Sequence, residues 1–140
     1  MYVLDTNVVS ELMRPAPAPA VEAWVAGRPA ETLFFSAIGE AELRYGVAIM
    51  PEGRRRNQID AEVEAVLSKD FEGRVLPFDS RAARAYAEIA AELRAAGRPA
   101  AQADCQIAAV ARARGMAVVT RNVRHFEHMG IDVTDPWEEE

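Results

Sequence analysis

Cysteine is almost missing from this chain: Cys105 stands alone among 140 residues. A lone thiol excludes an internal disulfide and a thiolate zinc cluster, and it fits a reducing compartment. Long hydrophobic runs are missing too. No stretch approaches the roughly 20 apolar residues that cross a bilayer, and the N-terminus does not follow the basic, apolar, small-residue order of a signal peptide. These absences predict a cytoplasmic protein without a membrane anchor. Lysine is reduced to Lys69, every other basic residue being arginine, and the formal charge of −6 speaks against a general nucleic-acid binder, whose footprint is usually basic. That total hides its distribution. Arg54, Arg55 and Arg56 are bunched, Arg121 and Arg124 are close together, and Glu138, Glu139 and Glu140 form an acidic tail. The arginine run reads as a solvated helix start.

What is present is a length typical of one domain and a composition that is half apolar. Apolar runs at 2–4, 33–35 and 117–120 read as strands, with shorter stubs at 75–76 and 131–133. Between them lie helical segments at 8–13, ended by Pro15, Pro17 and Pro19, and at 21–26. Ser36 is placed to cap a helix over 37–49 that Pro51 and Gly53 close. Ile59, Val63, Val66 and Leu67 recur at helical spacing within 54–67. An alanine-rich helix over 80–96, a break at Gly97-Arg98-Pro99, a helix over 102–114 stopped by Gly115, and a short helical piece at 123–129 complete the order. Strands alternating with helices predict an α/β domain, a parallel sheet with helices on both faces.

The first strand ends abruptly at Asp5, followed by Thr6 and Asn7. Ligand sites in parallel sheets lie just beyond the carboxyl ends of the strands, so Asp5 is the first candidate. Helical phase selects two more acids. Glu42 shares a face with Ile38, Tyr45, Gly46 and Ile49, which predicts a carboxylate set into an apolar stripe and in need of compensation. Gly46, one turn on, is expected to admit a neighbouring backbone or a ligand. Glu40 points elsewhere and has Arg44 at i+4, the spacing of an exposed ion pair. Asp104 has Ala100, Ala101, Ile107, Ala108 and Ala111 as helical neighbours and lies near its helix's amino end, where capping is the competing explanation.

Carboxylates gathered in one pocket repel, and the usual escapes are proton sharing or a hard cation. Oxygen ligands favour Mg2+ or Mn2+ over zinc. His125 and His128 lie three apart without nearby thiols and are expected at the surface or in structural roles.

The residues resemble the PIN-domain ribonucleases, in particular the VapC-type toxins of bacterial toxin–antitoxin pairs. The likeness spans almost the whole chain and rests on Leu4-Asp5-Thr6-Asn7-Val8-Val9-Ser10-Glu11-Leu12, on Ala41-Glu42-Leu43-Arg44-Tyr45-Gly46, on Gly97-Arg98-Pro99 leading to Asp104, on Val119-Thr120-Arg121-Asn122 with Phe126, and on Pro136-Trp137. The resemblance implies a single PIN-like domain over 1–140 in which Asp5, Glu42 and Asp104 hold Mg2+ or Mn2+. It implies polar support from Thr6, Ser36 and Thr120, and it places Asn122, with His125 three residues on, where the family often carries a fourth acid. The implied reaction is RNA phosphodiester hydrolysis, the metal polarising the phosphoryl oxygen and activating water.

By position, Arg44, Arg121 and Arg124 are the candidate phosphate contacts. The resemblance further implies a homodimer and a cognate antitoxin whose tail covers the groove and presents a basic side chain to the acids. Apolar surface on the early helices, 8–13 and 21–26, is consistent with such docking, although sequence alone does not separate partner surface from core. Two alternatives stay open. A phospho-accepting receiver domain calls for adjacent acids after the first strand and a lysine after a late one, whereas this chain has Asp5 and only Lys69. A catalytically silent PIN-like binding module is compatible with Asn122 standing in place of an acid.

Overall fold

The computed structural model describes residues 1–138, so Glu139 and Glu140 of the acidic tail lie outside the described residues. Five short strands form one sheet in the order β3-β2-β1-β4-β5, every neighbouring pair parallel. They are β1 (Tyr2–Leu4), β2 (Leu33–Ser36), β3 (Val75–Leu76), β4 (Ala117–Val119) and β5 (Val133–Thr134). The helices are α1 (Thr6–Leu12), α2 (Pro19–Ala26), α3 (Ala37–Ala48), α4 (Arg54–Ala65), α5 (Ser80–Ala95) and α6 (Gln102–Ala113). α1 begins two residues earlier than expected because Asp5 itself caps it. α4 keeps its α-helical form only to Ala65 and runs on as a π-helical turn, Val66–Asp70. The piece expected over 123–129 is a single 3-10 turn, Val123–Phe126.

Alternation along the strands explains the two cores. Leu4 and Val119 face one side with Phe35, Val8, Trp24, Leu43 and Val63, while Val3 and Val118 face the other with Ile89, Ile107 and Phe126. Both faces are therefore covered, α1, α2 and α4 packing on one and α5 and α6 on the other, as a parallel sheet requires. Each buried Val, Leu, Ile or Phe contributes about 1.5–3 kcal/mol, so the sheet is held chiefly by this double burial. α3 lies close to β2 because Gly39 has no side chain: a Cβ there would stand 2.4 Å from the Phe35 ring. Ser36 turns strand into helix, its hydroxyl accepting the Gly39 N–H at 3.0 Å.

The chain fills the sheet outward from β1 through β2 to β3, then returns to lay β4 on the other side of β1. This reversal opens a crevice at the carboxyl ends of β1 and β4, where open α/β sheets bind ligands. Asp5 and Thr120 are the residues that follow those two strands.

Candidate active site

Asp5 is buried yet polar, with only 6 % of its surface exposed. Its backbone N–H extends the ladder to Val119 O at 2.8 Å, which fixes where the side chain starts. The carboxylate then accepts Thr6 N at 2.8 Å on Oδ1, and the Thr120 hydroxyl at 2.7 Å and the Asn7 amide at 3.3 Å on Oδ2. Thr120 Oγ1 also accepts from Asn7 Nδ2 at 3.2 Å and from Asn122 N at 3.0 Å. A hydroxyl has one proton and two lone pairs, so Thr120 is saturated and its proton must point at Asp5. Burial nevertheless pushes the Asp5 carboxyl above its ordinary value of 3.8, against the lowering effect of the Thr120 and Thr6 hydrogen bonds.

Thr6 joins the second acid to the first: its N–H serves Asp5, and its hydroxyl donates to Glu42 Oε1 at 2.5 Å. Glu42 is not sunk in a buried stripe, which corrects the expectation. The buried side of α3 is Gly39, Leu43 and Val47. Glu42 lies roughly a quarter turn from that side, and its apolar companions Tyr45 and Ile49 are 66 % and 65 % exposed. Two overlapping apolar periods run along α3, and the one bearing the acid faces out. Among the described residues nothing outside its own helix approaches within 4 Å of the Cβ position of Gly46, so no neighbouring backbone comes close there, whereas Gly39 is under steric constraint.

Asp104 sits in the first turn of α6 but caps nothing, since that helix has no side-chain cap. Its carboxyl is raised above 3.8 chiefly by burial, then by the like charges of Asp5 and Glu42, with His125 opposing. His125 Nδ1 lies 3.5 Å from Asp104 Oδ2. Both histidines are exposed, as expected, yet this one stands beside the site.

Asp5, Glu42 and Asp104 thus share one electrostatic neighbourhood, and among the described residues none is paired with an arginine or the lysine. Asp104 and Glu42 border different cavities. Asp104 borders a cleft of about 400 Å3 beside α6, and Glu42 borders a groove of about 450 Å3 between α1, α3 and α4. Among the described residues, no three His, Cys, Asp or Glu side chains already close around a metal-sized space. The donor set still suits a hard cation in kind. Mg2+ keeps several waters and takes only one or two carboxylates, so it needs no ready-made cage.

The supporting residues are placed unevenly. Ser36 is fully buried and bonds the start of its own helix, steadying the element that carries Glu42. Asn122 touches the network through its backbone N–H, while the residue is exposed. Asn7, to which sequence reasoning gave no role, bridges Asp5, Thr120 and, through Oδ1, Arg121 N at 3.3 Å. Its signal was its place in the Asp5-Thr6-Asn7 run. Glu11, also missed, is buried and accepts Ala18 N at 2.8 Å, tying down the proline-rich loop.

The three arginine candidates differ in freedom. Arg44 is held by Glu40 at 2.8 Å and by Glu64, and Arg121 lies over the Trp137 ring at 5.0 Å. Only Arg124 opens on the cleft beside Asp104. For the early helices, where sequence leaves core and partner surface both open, packing puts Val8 and Val9 of α1 and Val21 and Trp24 of α2 in the core. Met13, at the end of the first of these stretches, forms apolar groove walls together with Val47, Met50 and Ile59.

This arrangement has known counterparts. The family model for the PIN domain matches residues 2–131. The chain is 46 % identical over 138 residues, 99 % of both sequences, to VapC ribonuclease Y4jK of Sinorhizobium fredii. It is 35 % identical, over 97 % of each, to the tRNA(fMet)-specific endonuclease VapC of Shigella flexneri. Toxin FitB of Neisseria gonorrhoeae is 39 % identical over 98 % of this chain and 99 % of its own length. The crystal structure of FitAcB from that organism superposes with a TM-score of 0.92, at 39 % identity, covering 99 % of this chain and 100 % of that one. A doubly covered parallel sheet with acids at its β1–β4 crevice, matched over nearly its whole length, makes this chain a member of the PIN-domain family, alongside the VapC ribonucleases.

Proposed function

We propose that the protein is a Mg2+- or Mn2+-dependent endoribonuclease acting as the toxin of a toxin–antitoxin pair. The observation that carries this reading is a set of three carboxylates, Asp5, Glu42 and Asp104, in one electrostatic neighbourhood and without an arginine or lysine partner among the described residues. A fold tolerates such repulsion where a cation relieves it.

Asp5 and Asp104 would hold the ion, with Glu42 adding charge from α3. When bound, it would polarise a phosphoryl oxygen and render water nucleophilic at neutral pH. The chain's own contribution is positional. Thr120 and Asn7 fix the Asp5 carboxylate, Thr6 orients Glu42, and Arg124 offsets phosphate charge from the cleft. The relatives' names and the family likeness support RNA as substrate and a protein antitoxin as partner. The groove between α1, α3 and α4 has apolar walls with Glu42 and Glu62 beside Arg14 and Arg55, and its Glu42 end suits a basic side chain from an antitoxin tail. The reading includes a cytoplasmic homodimer, which light scattering of the purified protein would check.

The purified protein is expected to cut RNA with Mg2+ or Mn2+ and to stop with chelator. Asp104→Asn is expected to abolish cutting, and the metal is expected to raise the melting temperature of the native protein more than that of the variant. Cutting that persists in chelator or in Asp104→Asn rejects the metal-site assignment, and absence of any RNA cleavage favours the silent binding module.

A further inference from the structure

The cleft of about 400 Å3 beside Asp104 is lined by Arg98, Arg124, His128 and Glu127 as well as by His125. Its size falls in the range of ligand sites, about 300–1,000 Å3. What sets it apart is that two cations without a carboxylate partner among the described residues border the same cleft as Asp104. Elsewhere Arg14, Arg44, Arg112 and Arg114 each contact a carboxylate. Among the described residues Arg98 and Arg124 have no such partner. Arg98 instead meets the imidazole of His128 through Nε2, a neutral acceptor when unprotonated. A guanidinium that meets an imidazole rather than a carboxylate is not already neutralised by an acid and remains available to an outside anion.

The backbone is shaped around this contact. Gly97, with φ +70°, turns the chain so that Arg98 leaves α5 toward the cleft. His128 takes φ 66°, a conformation few non-glycine residues adopt, and its ring lies across from Arg98.

We propose that this cleft is a subsite for the RNA backbone, in which Arg98 and Arg124 hold a phosphodiester neighbouring the one at Asp104. This rests on the nuclease reading above. A strand with a phosphate at the acids carries its next phosphate close by, and the cleft opens directly from Asp104 with two unspent guanidinium groups. Glu127 is the opposing charge at the rim, which limits affinity and lets product leave. Asp104, the other acid at the cleft, is the one the divalent cation would neutralise.

The test uses a labelled single-stranded RNA, followed by fluorescence anisotropy across a salt series, with Asp5→Asn in every protein so that binding is read without cutting. Adding Arg98→Ala and Arg124→Ala is expected to weaken binding on the order of ten-fold at moderate salt. The slope of log affinity against log salt is expected to fall by about 0.7 for each contact removed. Glu127→Gln in the same background is expected to tighten binding. If the Asp5→Asn protein binds RNA and the arginine variants match it in affinity and slope, the subsite is wrong while the nuclease reading stands. If the native protein neither binds nor cuts RNA, both fall.

Discussion

Asp5 and Asp104 bring charge to the same neighbourhood from opposite kinds of scaffold. Asp5 follows a central strand, is 6 % exposed, and accepts hydrogen bonds from Thr6, Thr120 and Asn7. Asp104 lies in a helical turn, its side chain 21 % exposed, with the His125 imidazole at 3.5 Å. Both carboxyls are raised above 3.8 by burial, but only for Asp104 do like charges add to the rise. One acid is an anchor locked into the fold by hydrogen bonds; the other is a charge that the fold leaves without an arginine or lysine partner among the described residues.

The largest effect should erase the contrast. Asp5→Asn and Asp104→Asn are each expected to lower RNA hydrolysis by about 10³-fold or more, because either removes several kcal/mol of metal-assisted stabilisation. Single-turnover cleavage of RNA reads this, and retained cleavage in one variant would show that the two acids are not partners. Stability should separate what activity merges. In Asp5→Asn the new amide meets the Asn7 amide donor and the Thr120 proton, an unsatisfied arrangement costing about 1–3 kcal/mol. Asp104→Asn breaks no hydrogen bond and relieves repulsion, so its melting temperature in chelator should equal or exceed the native value. Equal losses in both variants would dissolve the distinction.

Thr120→Val sharpens the comparison from the Asp5 side. It removes the hydroxyl that donates to Asp5, with an expected loss of about 1–2 kcal/mol in thermal or denaturant unfolding, while Thr120→Ser should restore most of it. The smallest effect is in pH. A carboxyl whose pKa rises on folding weighs against the folded state when ionised, a cost absent below its unfolded value. The stabilisation of Asp104→Asn relative to the native protein should therefore be full at neutral pH. It should shrink as pH falls through the raised folded value and vanish below about 3.8, the ordinary value of the acid. A gap independent of pH would mean the variant acts through packing.

Much of this organisation is legible in the order of residues. Apolar runs at β1, β2 and β4 mark strands buried on both faces, and Ser36 and Gly115 stand at the ends of helices they help define. Asp5 is legible because a strand end is a one-dimensional event. α3 was misread for a physical reason: Ile38, Tyr45 and Ile49 form as regular a stripe as Leu43 and Val47, and only packing decides which faces the sheet. The same ambiguity drew attention to Gly46, which is open, rather than to Gly39, which meets Phe35. For α1 and α2 the pattern leaves core and partner surface both open, because periodicity reports apolarity without saying what covers it.

Periodicity and chain breaks alone determined the alternation of strands and helices, hence a parallel sheet with covered faces, and the acids at its ends. Those features depend on neighbours a few residues apart, which the chain states directly. Only the tertiary structure decided that β4 lies beside β1, so that Thr120 and Asn7 hold Asp5, that His125 stands against Asp104, and that Arg98 faces His128 while Arg44 is spent on Glu40 and Glu64. Which cation meets which anion depends on distances through space between residues far apart along the chain, and no local pattern encodes those distances.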